Sequence, residues 1–407
     1  MKILIVHNSY QQPGGEDVVV QRESALLAAN GHQVRTHFRD SAEMRRLGPL
    51  RKMELSLAAI WARNTHHELR NLLLQEKPDL AHFHNIFPLI SPSGYFACFN
   101  AGVPVVQTLH NYRLLCAGGT LFRDGAPCED CREHGLWPGI IHGCYRNSCA
   151  STAALSLTLG IHRQLGTWSR RIDCFVAPSE FVSQLYGSAG FDPRKIFVKP
   201  NFVAVDPGER TSAGDYAVFV GRLSVEKGLR TLLRAWESLA IPIPLVIVGD
   251  GPLREELEEK VHNQLSCAVR FAGFLPNEDT LLLIKGAKFL VFPSEWYETF
   301  GLTMIEAFAC GVPVICSRLG TMQEIVSDNR TGIHFTPGDS ADLARKVEWA
   351  WKHPVELKRF GRAARLEYES KYTAERNYHL LINAYQMARK RAAESLEHAR
   401  TEQHAEA

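Results

Sequence analysis

The chain is predicted to be an α/β protein with two doubly wound parallel-sheet domains. Its 407 residues exceed what one compact core usually holds, which favours two domains. Short β-rich runs alternate with longer helical patterns, as is typical of parallel strands joined by helical crossovers. This alternation begins at residues 2–6 and again at residues 216–220, and a segment rich in Asp, Gly, Pro and Ser at residues 203–215 lies between them as a linker.

The first series of elements opens with a strand at residues 2–6, a loop at residues 13–15 and a helix at residues 16–30 that Gly31 ends. Further strands are predicted at residues 33–38, 79–83, 103–108, 173–176 and 195–199. The first domain is therefore expected to cover residues 1–200.

The second series opens with the strand at residues 216–220 and a helix at residues 229–239. Its later strands are predicted at residues 245–248, 269–271, 289–292, 314–315 and 332–335. This domain is expected to cover residues 201–373. Residues 374–407 are expected to form a helix to about residue 397 that packs back on the first domain, together with a charged tail at residues 394–407.

Composition indicates a folded chain. Hydrophobic residues make up 45% of it and charged residues 22%, both near the average for globular domains. The apolar run at the N-terminus is shorter than a signal peptide needs, and no window offers the roughly 18 uncharged apolar residues of a membrane span. A cytoplasmic protein is therefore expected.

The formal net charge of +2 conceals an asymmetry. Residues 1–200 carry 21 Lys and Arg against 16 Asp and Glu, whereas the remainder carries 25 against 28. The excess is clustered at Arg45, Arg46, Arg51, Lys52, Arg163, Arg170 and Arg171. These cations form either a solvated face or a surface that attracts an anionic acceptor, such as a lipid diphosphate, or the inner face of an anionic membrane. No basic stripe interleaved with aromatic residues is present, so a nucleic-acid partner is not expected.

Two carboxylates, Glu298 and Glu306, flank a segment at residues 300–303 that opens an amphipathic helix. The backbone donors at such a helix start attract phosphate oxygens. One carboxylate can then hold hydroxyls of a sugar, and the other can hold hydroxyls of a nucleotide ribose. The alternative is a pair of ordinary surface acids, which are common.

Two cations, Arg222 and Lys227, lie in a loop bracketed by Gly221 and Gly228, directly after the strand at residues 216–220. A planar guanidinium fork and a compact ammonium charge can together neutralise a leaving diphosphate. The structural alternative is a surface pair with Glu226.

Glycine turns recur at the ends of strands. Residues 249–252 and 273–276 each follow a strand and can admit a base or ribose against the backbone, although each is also ordinary turn chemistry. Gly14 and Gly15 lie between the first strand and the first helix, where a missing Cβ lets a ligand approach closely. The third glycine of the dinucleotide fingerprint is missing, which counts against an NAD-dependent oxidoreductase.

His110 follows the strand at residues 103–108 and is a candidate to donate to a sugar hydroxyl or to exchange a proton near neutral pH. His7, His82 and His84 also lie near strand ends and compete for this role.

In this order the motifs resemble those of family 4 of the retaining glycosyltransferases, which have the GT-B architecture of two Rossmann-like domains facing across a cleft. The resemblance extends from Met1 to about Met387 and is carried by the Gly-Gly loop, the two cations, the turn at residues 249–252 and the two carboxylates. The family usually has Asp after the His, and Asn111 departs from this, so Asn111 is given no catalytic role.

The resemblance implies a role for each motif residue. Arg222 and Lys227, with the backbone at residues 300–303, would bind the diphosphate, while Glu306 would bind the ribose. Glu298 would hold the transferred sugar. His110 and Gly15 would come from the acceptor-side domain. The implied catalytic residues are thus Glu298 and His110, and the implied donor-binding residues are Gly15, Arg222, Lys227, Gly251, Leu275 near the base, Thr299, Phe300, Gly301, Leu302 and Glu306.

The resemblance also implies a reaction. The sugar would move with retention from a UDP-, GDP- or dTDP-sugar to a sugar or lipid-linked saccharide, in surface-polysaccharide or glycolipid assembly with peripheral membrane contact. Arg222, Lys227 and the helix start would stabilise the leaving phosphate, with Glu298 positioning the sugar rather than attacking it. No cofactor and no divalent ion would be required.

Two rival functions stay open. A nucleotide-sugar epimerase of the same fold would need more acid and base residues and no acceptor site. A non-catalytic nucleotide-sugar binding protein would be expected to lose Glu298, Lys227 or His110, and all three are present.

A cysteine-rich insertion is predicted at residues 116–149, which hold five of the ten cysteines. The spacing of Cys116, Cys128, Cys131 and Cys144 suits a tetrahedral structural zinc site. Reduced thiols without a ligand are the main alternative, and disulfides are disfavoured in a cytoplasmic protein.

Overall fold

A computed structural model of the chain describes residues 1–9, 14–46, 58–264 and 269–405. The chain divides into two compact units. The first unit comprises Met1–Thr120, Glu129–Lys199 and Tyr378–Ala407, and the second comprises Leu121–Cys128 and Pro200–Asn377. The predicted loop residue Pro13 and the predicted cations Arg51 and Lys52 lie outside the described residues.

The first unit is built on a six-stranded parallel sheet. The strands up to residue 198 are β1 (Lys2–Ser9), β2 (Gln33–Asp40), β3 (Leu80–Phe83), β4 (Val105–Thr108), β5 (Phe122–Arg123), β6 (Ala126–Pro127), β7 (Cys174–Ala177) and β8 (Ile196–Val198). Their order in the sheet is β2-β1-β3-β4-β7-β8, and β5 pairs with β6 in a separate antiparallel hairpin. The interior of β1 is a continuous apolar run that is fully buried, as expected for a central parallel strand covered on both faces.

Helices connect these strands and cover the sheet. They are α1 (Gly15–Ala29), α2 (Arg63–Glu76), α3 (Ser93–Asn100), α4 (Asp130–His134), α5 (Trp137–Ile141), α6 (Cys149–Gln164), α7 (Thr167–Arg170) and α8 (Glu180–Ser188). Side-chain caps begin two of them. Ser148 accepts the backbone N–H of Ser151 at the start of α6, and Ser179 accepts that of Val182 at the start of α8.

The second unit repeats the plan. Its strands are β9 (Ala217–Val220), β10 (Leu245–Val248), β11 (Val269–Gly273), β12 (Phe289–Phe292), β13 (Val314–Ser317) and β14 (Gly332–Phe335), in the order β11-β10-β9-β12-β13-β14. The helices from residue 229 onward are α9 (Leu229–Glu237), α10 (Arg254–Gln264), α11 (Asn277–Gly286), α12 (Leu302–Ala309), α13 (Thr321–Ile325), α14 (Ser340–Lys352), α15 (Pro354–Lys371) and α16 (Ala374–Ala405).

Apolar residues cover both faces of the second sheet. Along β9, Val218 packs into one core cluster and Phe219 into the other, as the two-residue period of a strand requires. The predicted α/β class with two doubly wound parallel sheets is confirmed. In each sheet the strand order reverses at one point, between β1 and β3 in the first unit and between β9 and β12 in the second. Ligands of such sheets bind beyond the carboxyl ends of the strands at this point.

The final helix contributes to the core of the first unit. Leu381, Ala384, Tyr385 and Ala388 recur on one helical face and pack in a cluster with Ile3 and other strand residues. The helix runs to Ala405, so the prediction of an end near residue 397 was wrong. No glycine or proline interrupts the sequence after residue 374, and Ala, Glu, Arg and Gln there favour the helix. Among the described residues, no helix is long and apolar enough to span a membrane.

Gly228 is a position where the fold requires glycine. Its φ is +69°, in the left-handed region, and a Cβ built there would lie 1.9 Å from the carbonyl oxygen of Pro293. The absent side chain therefore lets the loop after β9 approach the loop after β12.

A Gly228→Ala substitution should destabilise the second unit. Left-handed strain and the clash with Pro293 together are expected to cost about 2–4 kcal/mol in the free energy of unfolding, measured by urea denaturation. Gly338 in the same unit has φ +75° with no atom within 4 Å of a built Cβ, so Gly338→Ala should cost only the strain, about 1 kcal/mol. Equal losses in the two variants would contradict the close approach.

Candidate active site

The loops that follow β9 and β12 lie together at the reversal point of the second sheet. The backbone N–H of Glu295 donates to the carbonyl of Glu226 at 2.9 Å. The hydroxyl of Thr231 at the start of α9 donates to Oε1 of Glu295 at 2.5 Å. These contacts hold the segment that carries Lys227 against the segment that carries Glu298.

Lys227 and Glu298 form an ion pair in which Nζ lies 2.6 Å from Oε1. The hydroxyl of Ser294 donates to the same oxygen at 2.6 Å. The Glu298 side chain is 6% exposed and that of Lys227 is 20% exposed, and the ammonium lies 5.3 Å from the ring centroid of Trp296. Glu298 is thus held in one orientation by two donors, and neither charge is buried alone.

Helix α12 begins at this loop without a side-chain cap. Its N-cap is Gly301, whose φ of +94° is in the left-handed region. The first backbone N–H groups of a helix have no partner within it and carry partial positive charge, so they favour an anion. Glu306 lies on the second turn of α12 and is buried. The carbonyl of Thr299 accepts the hydroxyl of Thr321 at 3.4 Å, which anchors the approach to the helix.

The turn after β10 packs against the loop that carries Arg222. The N–H of Leu223 donates to the carbonyl of Asp250 at 3.0 Å, and the N–H of Leu253 donates to that of Leu223 at 2.9 Å. A Cβ on Gly249 would lie 1.9 Å from the carbonyl oxygen of Gly221, and one on Gly251 would lie 2.5 Å from that of Leu223. These glycines therefore fix the Arg222 loop, which is a packing role that sequence reasoning missed.

Leu275 lies in the turn after β11. Its side chain packs, half-buried, on the core cluster that contains Phe300 and Met304. Its carbonyl accepts the hydroxyl of Thr280, on the first turn of α11, at 3.4 Å. The preceding Phe274 is 79% exposed. The turn therefore offers apolar surface at the carboxyl edge of the second sheet.

In the first unit, His110 follows β4 and lies against His84, which follows β3. Nδ1 of His84 and Nε2 of His110 are 2.8 Å apart, and the two rings are stacked with centroids at 5.1 Å. Both residues line a small cavity of about 30 Å³, together with Asn85 and Asn111. Asn111, the departure from the family pattern, accepts the N–H of Arg113 through its side chain at 3.0 Å.

Gly15 is the first residue of α1, and a carboxylate fixes the approach to it. Oδ2 of Asp17 accepts the N–H of Gly14 at 2.8 Å, and Oδ1 lies 2.9 Å from Nε2 of His7 on β1. The start of α1 is thereby tied to the strand beneath it. Nε2 of His7 is therefore engaged by Asp17.

His82 is fully buried and has partners at both ring nitrogens. Nδ1 lies 2.9 Å from the hydroxyl of Tyr385, and Nε2 lies 2.7 Å from the hydroxyl of Thr108. Burial lowers the pKa of His82 to about 3, and burial likewise lowers the pKa of His84 and of His110 well below the usual value. The three rings are therefore neutral at physiological pH.

Among the described residues, the four cysteines of the predicted zinc site do not form a group of metal ligands, although Cys116 and Cys131 contact each other. Cys116 and Cys131 are buried and hydrogen-bonded, which raises the pKa of the Cys131 thiol, and burial adds to this. In the part of the chain that the structure describes, the group whose ligand atoms all lie within 4.8 Å of one another is Glu23, His82 and His84 instead. Zinc binding by these cysteines is therefore not supported.

The predicted site residues thus fall into two sets. His110 and Gly15 lie in the first unit, and the second unit holds Arg222, Lys227, Gly251, Leu275, Glu298, Thr299, Phe300, Gly301, Leu302 and Glu306. Sequence reasoning missed Ser294 and Trp296 near Glu298, and Glu23 and Lys199 near the histidines. Ser294 follows the end of a strand and could have been found by that signal, whereas Glu23 lies in the middle of a helix and offered none.

Comparison with known proteins gives two family matches. The model described as Glycosyltransferase Family 4 matches residues 13–207, and the model described as Glycosyl transferases group 1 matches residues 208–367.

Two curated relatives match part of the chain. The chain is 31% identical over 179 residues to O-antigen chain mannosyltransferase C of Escherichia coli. This match covers 43% of the chain and 48% of that protein. The chain is 33% identical over 161 residues to D-rhamnosyltransferase WbpZ of Pseudomonas aeruginosa. This match covers 39% of the chain and 42% of that protein. The matches thus span just under half the length of these relatives.

A solved structure is similar along the whole chain. The crystal structure of Anabaena Alr3699/HepE in complex with UDP-glucose aligns with a TM-score of 0.67 at 19% identity. The alignment covers 98% of this chain and 99% of that one, so the two chains share their fold.

The Lys227–Glu298 pair should contribute measurably to stability without ligand. In a double-mutant cycle of Lys227→Met and Glu298→Gln, urea denaturation should give a coupling energy of about 1–2 kcal/mol, because each single change leaves a largely buried charge unpaired. The exposed pair Arg230 and Glu256 is the control, with an expected coupling of at most about 0.5 kcal/mol. A coupling as small as the control's would contradict the assigned geometry.

The buried histidines should make stability depend on pH. Because the folded pKa of His82 lies below its unfolded value, its stabilising contribution is complete above pH 6.5 and is lost as the pH falls from 6.5 toward 3. Each proton taken up on unfolding changes the slope by about 1.4 kcal/mol per pH unit. Denaturation at a series of pH values should therefore show a shallower slope for His82→Gln, while the exposed His134→Gln should keep the wild-type slope.

Proposed function

The chain belongs to the group 1 and family 4 glycosyltransferases, and on that basis we propose that it transfers a sugar, with retention, from a nucleotide-diphosphate sugar to a hydroxyl acceptor. The observation that carries the proposal is the Lys227–Glu298 ion pair at the reversal point of the second sheet. There a cation suited to a diphosphate and a carboxylate suited to sugar hydroxyls are held side by side.

Residues 201–373 are proposed as the donor domain and residues 1–200 as the acceptor domain, with the insertion at residues 116–149 shaping the acceptor side. Arg222 and Lys227 would bind the diphosphate. An ammonium has three N–H donors, so the Lys227 contact to Glu298 leaves two for phosphate oxygens. The N–H groups at the start of α12, next to Thr299 and Gly301, would add further donors.

The two carboxylates would hold different parts of the donor. Glu298, oriented by Ser294 and Lys227, would accept hydrogen bonds from hydroxyls of the transferred sugar. Glu306, on the second turn of α12, would hold the ribose hydroxyls, and the apolar turn at Leu275 would lie against the base. His110 and the Gly15 loop would serve the sugar and the acceptor from the first unit.

The proposed mechanism follows the charges that develop. As the anomeric C–O bond breaks, positive charge grows on the sugar and negative charge on the leaving phosphate. Arg222, Lys227 and the α12 start would stabilise the phosphate through charges placed before the reaction. The leaving phosphate would then take the acceptor proton on the same face, so the configuration is retained and Glu298 positions rather than attacks.

These cations also support catalysis without a divalent ion, since they supply the charge that the leaving group needs. A UDP-sugar is the first donor to test, because UDP-glucose is bound in the Anabaena structure, with GDP- and dTDP-sugars beside it. The O-antigen mannosyltransferase relative supports an acceptor in surface-polysaccharide assembly. The basic excess of residues 1–200 supports a lipid-linked acceptor and contact with the inner face of the membrane.

A nucleotide sugar should stabilise the protein against thermal unfolding. At 100 times its dissociation constant, a ligand that binds only the folded chain adds about 2.7 kcal/mol. Glu306→Ala should abolish most of this stabilisation, whereas Glu369→Ala, at a carboxylate on the surface of α15, should keep it. If no UDP-, GDP- or dTDP-sugar stabilises the protein and Glu306→Ala changes nothing, the donor site is wrongly assigned.

Product analysis separates the rival functions. Transfer gives a glycoside with the anomeric configuration of the donor, which NMR spectroscopy reads directly. An epimerase would release an altered sugar without needing an acceptor. A non-catalytic binding protein would be stabilised by a nucleotide sugar and would leave it intact.

A further inference from the structure

A buried acid in α1 has one oxygen engaged and the other within 4.0 Å of a nitrogen of His82 and of His84. Glu23 is fully buried, and its Oε1 accepts a hydrogen bond from Nζ of Lys199 at 2.6 Å. Within the described ranges, its Oε2 has no hydrogen-bond partner. Because a buried carboxylate is stable in its charged form only when it is paired, Lys199 keeps Glu23 ionised.

His84 presents the matching atom. Its Nε2 is buried without a hydrogen-bond partner among the described residues and lies 3.9 Å from Oε2 of Glu23. A closure of about 1 Å would make this a hydrogen bond of ordinary length. The other nitrogen of His84 lies 2.8 Å from Nε2 of His110. The three side chains therefore form a line from the buried acid to the candidate catalytic histidine.

We propose that Glu23 is a positioning residue that sets the tautomer of His84 and, through it, that of His110. An ionised carboxylate only accepts hydrogen bonds, so the nitrogen of His84 that faces it carries the hydrogen. A neutral imidazole has one N–H, so Nδ1 of His84 accepts. His110 then donates through Nε2, and its Nδ1 carries no hydrogen.

This tautomer determines which chemical class of group can form a hydrogen bond with His110. Nδ1 of His110 then only accepts hydrogen bonds, from a donor in the protein or from a hydroxyl, and donates none to a phosphate or carboxylate oxygen. A sugar or acceptor hydroxyl that reaches this nitrogen would be oriented with its proton toward the ring. This consequence for catalysis rests on the proposed function, whereas the tautomer itself does not.

The same donor set could suggest a metal site, since Glu23, His82 and His84 offer ligand atoms within 4.8 Å of one another. A cation is not favoured there, because the ammonium of Lys199 already balances the charge of the carboxylate. His82 is also engaged at both nitrogens, by Tyr385 and Thr108. The charges and donors around Glu23 favour a line of hydrogen bonds over a metal site.

The direct test is the tautomeric state of His84 and His110 in the full chain, read from long-range ¹H–¹⁵N correlations of ¹⁵N-histidine-labelled protein. Signals are assigned with His84→Gln and His110→Gln. We expect the hydrogen on Nε2 of both rings. A hydrogen on Nδ1 of His110 in the wild type would overturn the proposal, and so would a stoichiometric metal ion found by elemental analysis.

A variant pair tests the role of Glu23. Glu23→Gln combined with Lys199→Met removes both buried charges together, and the amide no longer fixes which atom of His84 donates. We expect His110 to show mixed tautomers and turnover to fall about tenfold, with the KM for the donor changed less than twofold. Glu367→Gln, at a buried acid in the second unit, is the matched control. It should change neither the tautomer of His110 nor the turnover.

An unchanged His110 tautomer in the double variant would contradict the proposal even if activity fell. If the double variant does not fold, the tautomers read from the wild-type spectrum still test the proposal. A wild type with the expected tautomers and no transferase activity would overturn the proposed function while leaving the role of Glu23 supported.

Discussion

The close contact of two loops at the reversal point of the second sheet is the constraint on which the candidate site depends. The Lys227–Glu298 pair joins them with opposite charges at 2.6 Å, and Gly228 allows their backbones to meet. The turn after β10 then fits against the Arg222 loop only because Gly249 and Gly251 lack side chains. The start of α12 follows directly from this arrangement, so cations, carboxylates and backbone donors are all positioned by one set of contacts.

The first unit differs from the second in that it buries a group of polar side chains without a dominant net charge. His82, His84 and His110 are neutral because burial lowers the pKa of each, and Glu23 is charged because Lys199 accompanies it. The N-terminal strand, α1 and α16 all contribute to this network. A fully buried network of this kind fixes side-chain orientation at the cost of stability in acid.

The sequence was most informative where local chemistry decides the structure. Strands at residues 245–248, 289–292 and 332–335 were predicted to the residue, because short apolar runs there end in turns. Pairings across long separations were not predictable. Lys227 and Glu298 are 71 residues apart in the sequence, and Glu23 and Lys199 are 176 apart. No local sequence pattern indicates either pair. The spacing of the four cysteines has the same limit, because it does not specify where the loop between them turns, and the structure gives zinc binding there no support.

Lys227, held by Glu298, is proposed to bind the diphosphate of a nucleotide donor. Isothermal titration calorimetry with UDP, GDP and dTDP in turn, on the wild type and on Lys227→Met, measures this contact. At least one nucleotide should bind the wild type and should bind Lys227→Met at least about tenfold more weakly, since a partly buried charged contact is lost. Equal affinity for the two proteins would contradict the account.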